Sequence, residues 1–253
     1  MTQPLIQFEQ VYKQFGDHRV LNGVDFDIYP GRITAVIGKS GEGKSVLLKH
    51  IIGLIRYDTG RILYQGKPMR DMNRKDRKEL RSKFSYMFQG NALFDSMTIF
   101  ENIALPLKEK NKLSKTVIQE LVFEKMTQLD LKDMDHKYPS QLSGGMQKRV
   151  ALARALITEP EIVLFDEPTT GLDPVRKKGV HGMIADYQKK FGFTAVVVSH
   201  EIPDIFYVAH HVAMLDEGRI IFAGTPEDID KSSNPVIKSF MQGMETGVED
   251  RVE

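Results

Sequence analysis

The glycine-rich run that decides the fold of this chain reads Gly38-Lys39-Ser40-Gly41-Glu42-Gly43-Lys44-Ser45, and it directly follows the apolar run Ile33-Thr34-Ala35-Val36-Ile37. This is the spacing G-x-x-x-x-G-K-[ST], between an apolar strand and a helix-like stretch at 45–52. The backbone N–H groups of such a loop surround a polyphosphate, and the helix directs its partial positive charge toward the phosphates. A glycine-rich turn that binds nothing is the alternative, and the flanking strand and helix argue against it. The run therefore predicts a phosphate-binding loop in an α/β fold.

The loop residues have separate expected tasks. Lys44 is expected to reach the β- and γ-phosphates, and Ser45 to place its hydroxyl on Mg²⁺. Gly41 and Gly43 leave room for the backbone to approach the phosphates, whereas Lys39 is interpreted as a solvated side chain. The expected nucleotide-binding residues of this loop are Gly38, Ser40, Gly41, Gly43, Lys44, Ser45 and Val46.

A second acidic site is expected beside this loop. The run Ile162-Val163-Leu164-Phe165-Asp166-Glu167 is an apolar strand that ends in two carboxylates. In a buried parallel sheet, Asp166 would emerge at the carboxyl end of its strand and hold the metal. Adjacent strand side chains point to opposite faces, so the chain must turn at Glu167-Pro168 for Glu167 to act as general base at the same nucleotide. The alternative is a pair of capping carboxylates on a loop.

Composition limits the class of protein. The 253 residues are 41% hydrophobic and 27% charged, which is typical of a globular chain with one or two cores. Lys and Arg total 35 against 34 Asp and Glu, so bulk charge does not indicate a nucleic-acid partner. The absence of cysteine excludes disulfides and thiolate metal sites. No secretory signal and no apolar run of about 20 residues is visible, so at a membrane another chain would have to supply the spanning helices.

The order of the predicted elements indicates a mixed architecture. Alternation over residues 6–29, broken at Gly16-Asp17 and Asn22-Gly23, predicts antiparallel strands. Apolar runs between helical segments predict a parallel sheet covered on both faces. The remaining predicted strands are 61–65, 84–88, 162–165, 194–198 and a hairpin of 211–216 with 219–222 about Gly218; the clearest predicted helices are 116–129, 174–191 and 202–209.

A third motif completes a recognisable set. The run Leu142-Ser143-Gly144-Gly145-Met146-Gln147 precedes a predicted helix at 148–157. By itself it is a helix N-cap, yet a serine hydroxyl, glycine N–H groups and a helix N-terminus also form an anion cradle. Together with the phosphate loop and the Asp166-Glu167 strand, it makes nearly the whole chain resemble the ATP-binding cassette (ABC) family.

This resemblance implies a fold, a domain division and a mode of action. The implied fold is a RecA-like P-loop ATPase core with an antiparallel β subdomain and an inserted α-helical subdomain. Residues 1–253 would form one ABC ATPase domain, with the core and β subdomain in 1–90 and 156–225, the helical subdomain in 91–155, and a C-terminal helical extension and tail in 226–253. ATP and Mg²⁺ are the implied cofactors. Two copies would form a homodimer in which Ser143, Gly144 and Gly145 of one copy close on the γ-phosphate held by the other.

Further residues match positions of the family pattern. Gln89 matches the glutamine that touches Mg²⁺ and the water, Asp173 matches the loop that crosses the dimer seam, and His200 matches the histidine at the γ-phosphate. Taken singly, each would be an ordinary structural or solvated residue. Phe15 aligns with the aromatic residue that stacks on adenine, with Tyr12 as competitor and a core position as the alternative. Val46 follows Ser45 where many relatives have threonine, and no catalytic consequence is expected.

A finer resemblance lies just after Gln89. Residues 90–107 contain Ala92-Leu93-Phe94-Asp95-Ser96 and Phe100-Glu101-Asn102, and are similar to the MlaF-like ATPases of the Mla and Mce phospholipid transporters. This implies an MlaE-like integral membrane permease, a Mce-domain lipid-binding protein and a small STAS-type regulatory subunit as partners, and a peripheral location at the cytoplasmic face of the inner membrane. Leu93, Phe94 and Met97 are expected to form a groove for a permease helix, unless they are core.

Three other functions compete with phospholipid transport. The nearest is the ATPase of a transporter for another solute, such as an amino acid or a metal, because cargo is set by partner chains. A non-transport ABC protein acting in translation or DNA repair usually carries two cassettes or a coiled-coil insertion, and this chain has neither. A P-loop kinase or GTPase switch lacks the Ser-Gly-Gly helix start and the equivalent of His200.

Overall fold

The computed structural model describes residues 3–88, 90, 92–110, 113–200 and 202–249, with only the backbone for residues 110 and 243–249. The strands are β1 (Ile6–Phe15), β2 (His18–Ile28), β3 (Ile33–Ile37), β4 (Thr59–Tyr64), β5 (Lys67–Pro68), β6 (Phe84–Met87), β7 (Ile162–Asp166), β8 (Thr194–Val198), β9 (His211–Asp216) and β10 (Arg219–Gly224). The α-helices are α1 (Lys44–Ile51), α2 (Arg74–Ser82), α3 (Ile99–Lys110), α4 (Lys115–Gln128), α5 (Gly144–Leu156), α6 (Pro174–Phe191), α7 (Pro226–Asp230) and α8 (Pro235–Glu249).

The central sheet has six strands in the order β10-β9-β3-β8-β7-β6. All neighbouring pairs are parallel except the β9–β10 hairpin. Side chains of β3 and β7 alternate between two cores: Ala35 and Phe165 enter one, and Val36 and Leu164 enter the other. Burial on both faces explains why these strands read as continuous apolar runs.

A smaller antiparallel sheet has the order β2-β1-β4-β5. It confirms the predicted antiparallel strands and the turn at Gly16-Asp17, but the predicted break at Asn22-Gly23 is wrong. Strand β2 runs through this point, because Val11 pairs with Val24 and Tyr12 pairs with Asn22, which leaves Gly23 as an extra residue in a bulge. Gly23 has φ +76°, a left-handed conformation that suits glycine in such a bulge.

The segment between β6 and β7 is helical, as predicted. Helices α3, α4 and α5 pack their apolar side chains into the core on one face of the central sheet. Asn102 of α3 is fully buried, and its side-chain amide donates to the carbonyl oxygens of Phe94, Met97 and Thr98 at 3.0–3.1 Å. Its Oδ1 accepts from the N–H of Phe94 at 2.9 Å. Asn102 therefore fixes the turn that leads into α3.

The predicted helix at 202–209 is wrong. The structure has a short 3₁₀ turn at Asp204–Tyr207, in which Phe206 N–H donates to Pro203 O and Val208 N–H to Ile205 O. An α-helix cannot continue because the chain enters the sheet at once, where His210 N–H donates to Ile33 O at 2.8 Å. Tertiary pairing here overrides the local apolar pattern.

The described residues form two hydrophobic cores, one on each face of the central sheet. One core lies between the central sheet and α3–α6, and the other lies between this sheet, α1 and the antiparallel sheet. The subdomain boundaries at 90, 155 and 225 stay predictions. Within the described ranges, no helix combines the length and apolar content that crossing a bilayer requires.

Candidate active site

The candidate site lies at the carboxyl edge of the central sheet. Strands β3, β8 and β7 are parallel neighbours, so the residues that follow them meet at this edge. The glycine-rich loop follows β3, Asp166 ends β7, and His200 comes two residues after β8. In open α/β sheets this edge is where ligands bind.

Two glycines of the loop are required by close backbone approach. A Cβ on Gly38, whose φ is +149°, would lie 2.2 Å from the carbonyl oxygen of Leu215. A Cβ on Gly43, at φ +95°, would lie 2.6 Å from Val20 Cγ1. Gly41 also has positive φ but has open space around it, as a loop that admits a ligand should. The loop conformation is therefore specific to glycine for reasons visible in its surroundings.

Lys44 begins α1 and lies buried inside this loop. Its ammonium group donates to Gly38 O at 2.8 Å and to Lys39 O at 2.6 Å. Burial lowers the pKa of Lys44, and the carboxylates of Glu167, Glu42 and Asp166 oppose that shift. A phosphate bound in the loop would therefore compete with these two carbonyl oxygens for the hydrogen bonds that Lys44 donates.

Ser45 and Asp166 bring α1 and β7 into direct contact. Ser45 Oγ donates to Asp166 Oδ1 at 2.7 Å. The contact follows from strand alternation: Ile162 and Leu164 point into the core that contains α1, and Asp166 lies on the same face. Serine and aspartate oxygens thus lie side by side at the start of α1.

Tyr86 is a member of the site that the sequence reasoning missed. Its hydroxyl donates to Asp166 Oδ2 at 2.6 Å. Burial and the adjacent carboxylate raise the pKa of Tyr86, so the hydroxyl keeps its proton and acts as a donor. A tyrosine in a strand carries no special signal, and only the pairing of β6 with β7, opposite Leu164, brings it to Asp166.

Glu167 occupies the turn that was predicted from Pro168. Its φ is +48°, an unusual value for a residue with a side chain, and its N–H donates to Val198 O at 3.1 Å. Glu167 Oε2 accepts from Thr170 Oγ1 at 3.0 Å. The left-handed turn ends the alternation of side chains along β7. The carboxylates of Asp166 and Glu167 can therefore both face the glycine-rich loop.

His200 lies against Glu167, with 3.4 Å between His200 Nδ1 and Glu167 Oε1. The His200 side chain is 41% exposed and that of Glu167 is 20% exposed. The structure therefore brings five of the predicted residues into one neighbourhood: Lys44, Ser45, Asp166, Glu167 and His200.

Other predicted residues lie elsewhere on the chain. Ser143 is the N-cap of α5, with Met146 N–H donating to its Oγ at 3.4 Å, and Gly144 and Gly145 are exposed. Asp173 is the N-cap of α6, accepts from Arg176 N–H at 3.0 Å and forms an ion pair with the Arg176 side chain. These side-chain contacts of Ser143 and Asp173 are local to their own helices, and both residues are exposed.

The remaining residues predicted to contact the nucleotide or the metal are Phe15, its competitor Tyr12, Val46 and Gln89. Phe15 is 47% exposed, with Lys13 Nζ 4.9 Å from its ring centroid, so it is not a core residue. Its competitor Tyr12 is half-buried. Val46 lies partly buried on α1. Gln89 lies outside the described residues, so its expected place at the metal stays a prediction.

The apolar residues after Gln89 are divided between core and surface. Leu93 packs against the core between the central sheet and α3–α6, which was the alternative to a permease groove for this residue. Met97 is half-buried. Phe94 is 48% exposed and lies beside Arg154, whose Cζ is 5.9 Å from the ring centroid. Phe94 is therefore the exposed apolar side chain among the three.

The residues fit a magnesium nucleotide. Mg²⁺ prefers oxygen ligands and usually keeps several waters while bound by few protein groups and by phosphates. Ser45 Oγ and Asp166 Oδ1 are such oxygens, 2.7 Å apart beside the phosphate loop. Among the residues that the structure describes, no group of three or more His, Asp or Glu forms an all-protein cage. The donor set suits an ion shared with a polyphosphate.

Comparison with known proteins agrees with this geometry. The family profile described as ABC transporter matches residues 21–170. The probable ribonucleotide transport ATP-binding protein mkl of Mycobacterium leprae is 37% identical over 242 residues, covering 96% of this chain and 70% of that one. The intermembrane phospholipid transport system ATP-binding protein MlaF of Escherichia coli K12 is 34% identical over 243 residues, covering 96% and 90%.

A solved structure has the same fold. It is cbiO1 from Clostridium perfringens, described as part of the ABC transporter complex cbiONQ. The TM-score is 0.82 at 28% sequence identity, and the match covers 98% of this chain and 99% of the other. The likeness confirms the predicted fold class, a P-loop ATPase core that carries an antiparallel β subdomain and a helical insertion.

Proposed function

This chain belongs to the ABC transporter family of ATPases, and from that premise we propose that it drives phospholipid transport of the Mla/Mce type between inner and outer membranes. ATP hydrolysis coupled to transport is the activity of the family. The observation that carries the phospholipid assignment is the match to MlaF over 90% of that protein's length. The run at 90–107, which is similar to the MlaF-like ATPases, supports the same assignment.

Nucleotide binding depends on the glycine-rich loop. When ATP enters, Lys44 exchanges the carbonyl oxygens of Gly38 and Lys39 for oxygens of the β- and γ-phosphates. The exchange is favourable because a buried ammonium gains anionic partners in place of neutral carbonyls. Phe15, exposed at the end of β1, stacks on the adenine through its ring face.

The metal site follows from the same loop. Ser45 and Asp166 are the residues that would hold Mg²⁺, with Gln89 as the predicted third, and the ion would neutralise charge on the phosphate oxygens. Tyr86 holds the second oxygen of Asp166, which fixes the carboxylate in one orientation. The hydroxyl of Tyr86 is therefore a positioning group and not a ligand.

Hydrolysis is assigned to Glu167 and His200. Glu167 orients and polarises the water that attacks the γ-phosphorus, and its unusual backbone turn directs the carboxylate to the phosphate side of the sheet edge. Thr170 Oγ1 donates to Oε2 of Glu167, while Oε1 lies against His200. His200 and Lys44 stabilise the charge that develops on the γ-phosphoryl oxygens.

A complete site requires two copies of the chain. Ser143, Gly144 and Gly145 are exposed at the start of α5, and the first N–H groups of a helix form a typical anion site. In the proposed homodimer this segment closes on the γ-phosphate bound by the partner, and Asp173 crosses the seam. Loss of the γ-phosphate removes the bridge and opens the dimer.

The dimer is proposed to act through other chains. Relatives of this family work with membrane permeases, and we assign an MlaE-like permease to the surface near Gln89 and Phe94. A Mce-domain lipid-binding protein and a small STAS-type subunit complete the proposed complex, with no nucleic acid. The chain is then peripheral, held at the cytoplasmic face of the inner membrane by the permease.

Reconstitution tests the proposal directly. The chain is co-expressed with its permease and Mce-domain partner, and transfer of fluorescent phospholipid between vesicles is followed with and without ATP. We expect transfer to require ATP and to fail with Glu167→Gln. The name of the mycobacterial relative raises ribonucleotides as a second cargo. ATP-dependent uptake of a ribonucleotide without phospholipid transfer would overturn the lipid assignment while leaving the ATPase assignment intact.

A further inference from the structure

A cavity lies beside the carboxyl end of α1, and none of its lining residues belongs to the candidate nucleotide site. Its volume is about 360 Å³, and its walls come from the end of α1, the segment 52–57, residues 69–70 and helix α2. This size lies in the range of small-molecule pockets. The cavity is therefore large enough for a compact ligand.

The lining carries strong positive charge. Arg56, Arg70, Arg77 and Arg81 all line the cavity, and its lining contains no Asp or Glu. All four arginines are exposed, and across the described residues none of them forms an ion pair. Guanidinium groups around one cavity repel one another, and an anion bound between them removes that repulsion.

Two of these arginines are held in place. Arg77 donates to the carbonyl oxygen of Arg70 at 2.7 Å, which ties α2 to residue 70. The guanidinium of Arg70 lies 5.8 Å from the ring centroid of Tyr57, which also lines the cavity. Held side chains lose less conformational freedom when a ligand binds, so the arrangement is suited to recognition.

The buried imidazole of His50 gives the cavity a neutral inner wall. His50 is 1% exposed and lines the cavity, and its Nδ1 lies 2.7 Å from Val46 O. A carbonyl oxygen only accepts, so Nδ1 carries the proton. Burial lowers the pKa of His50 and keeps the ring neutral at pH 7, which makes Nε2 an acceptor. Nε2 is buried and has no hydrogen-bond partner among the described residues, but a residue that is 1% exposed offers no surface to a group in the cavity, so His50 is a neutral part of the wall.

We propose that this cavity binds a phosphate ester, such as a phosphorylated polyol or a glycerophospholipid headgroup. The four arginines hold the phosphate, for which their planar donors are well shaped. The carboxyl end of α1 carries partial negative charge, so side chains and not the helix dipole must supply the attraction. The site does not depend on the transport function proposed above.

Calorimetric titration of the full chain tests the site, with the P-loop saturated by a non-hydrolysable ATP analogue and Mg²⁺. The probes are sn-glycerol 3-phosphate and glycerol, which lacks the phosphate. We expect sn-glycerol 3-phosphate to bind at least about tenfold more tightly than glycerol, because only the former carries the charge that the arginines attract. Equal affinity of the two probes would overturn the proposal.

Two matched double variants locate the binding. Arg56→Gln with Arg81→Gln removes two cavity charges whose side chains make no hydrogen bond to another described residue, and about tenfold or greater weakening is expected for sn-glycerol 3-phosphate. Arg74→Gln with Arg219→Gln removes the same charge outside the cavity and should leave binding unchanged. ATP hydrolysis should be unaffected in both, and urea unfolding verifies their folding. Equal probe affinity in the cavity variant and the unchanged chain would overturn the proposal.

A vesicle arm separates the two sources of the ligand. Vesicles with phosphatidylglycerol present a phosphate with net negative charge, whereas in phosphatidylcholine vesicles the choline cation balances the charge of the phosphate. Cosedimentation with phosphatidylglycerol alone, reduced in the cavity variant, would identify a lipid headgroup, and binding of the soluble probe would identify a free phosphorylated polyol. If neither probe binds and only the permease protects the arginines from chemical modification, the charges serve a protein partner and the proposal is wrong.

Discussion

The hydroxyl of Tyr86 allows a minimal perturbation of the proposed metal site, because Tyr86→Phe removes one oxygen atom and no carbon. In the structure Tyr86 donates to Asp166 Oδ2 at 2.6 Å, and Ser45 donates to Asp166 Oδ1 at 2.7 Å. The substitution leaves the Ser45 contact in place and frees one oxygen of the carboxylate. Any effect on Mg²⁺ therefore reports on the orientation of Asp166.

The expected magnitudes follow from these contacts. A hydrogen bond to a charged group contributes about 1.5–3 kcal/mol. Tyr86 is only partly buried, so water replaces part of the lost interaction, and we expect the free energy of unfolding to fall by about 1 kcal/mol. Groups that orient a metal ligand change metal affinity or activity about 10–100-fold. The Mg²⁺ concentration for half-maximal ATP hydrolysis should therefore rise about tenfold.

Three measurements check this expectation: hydrolysis at saturating ATP against Mg²⁺ concentration, ATP affinity by calorimetry with and without Mg²⁺, and unfolding in urea. ATP affinity without Mg²⁺ should not change, because the hydroxyl of Tyr86 hydrogen-bonds to Asp166 and not to the glycine-rich loop. Tyr207→Phe, at an exposed hydroxyl, is the matched control. An unchanged Mg²⁺ dependence together with unchanged stability would refute the positioning role.

Four further substitutions test the rest of the reasoning. Lys44→Ala should abolish ATP binding in calorimetry, because the buried ammonium is lost, and near-normal turnover would contradict its role. Glu167→Gln should bind ATP and hydrolyse it at least about 100-fold more slowly, with an ATP-trapped dimer visible by light scattering; a variant that stays monomeric, alone and with permease, would count against the shared site. Phe94→Asp should abolish co-purification of the permease and spare nucleotide binding, whereas retained co-purification would remove Phe94 from that interface. Asn102→Ala should lower the free energy of unfolding by about 2–4 kcal/mol in urea, because three carbonyl groups lose their donor; a loss below about 0.5 kcal/mol would mean that water replaces the amide.

Local chemistry explains which elements the sequence predicts well. Helix α6 begins after Asp173, which caps its first turn, and ends before Gly192 at φ +73°. Strand β8 is five apolar or β-branched residues between this glycine turn and a polar loop. The glycine-rich loop is recognisable because Gly38 and Gly43 fill positions where a Cβ would collide with neighbouring atoms. The caps of α6 and the composition of β8 are local features of the sequence. At Gly38 and Gly43 the surrounding atoms exclude every side chain, so only glycine fits.

Features that depend on strand order could not be predicted. The contact of Tyr86 with Asp166 exists only because β6 is the neighbour of β7, and no local pattern encodes that adjacency. The bulge at Gly23 depends on pairing with β1, so the residue looked like a turn. The segment at 202–209 has helical periodicity, but its end is fixed by the hydrogen bond from His210 to Ile33. Register and tertiary pairing decide all three.

The two helix caps assigned to the dimer seam differ in how firmly their own helices hold them. Asp173 accepts from Arg176 N–H at 3.0 Å and also pairs with the Arg176 side chain at 3.1 Å, so it is engaged within its own chain. Ser143 accepts from Met146 N–H at 3.4 Å, which is long for a hydrogen bond. An N-cap contributes about 1 kcal/mol at good geometry and less at this distance. Turning the Ser143 hydroxyl toward a partner's phosphate therefore costs α5 little, and this favours Ser143 over Asp173 as the group that responds to bound nucleotide.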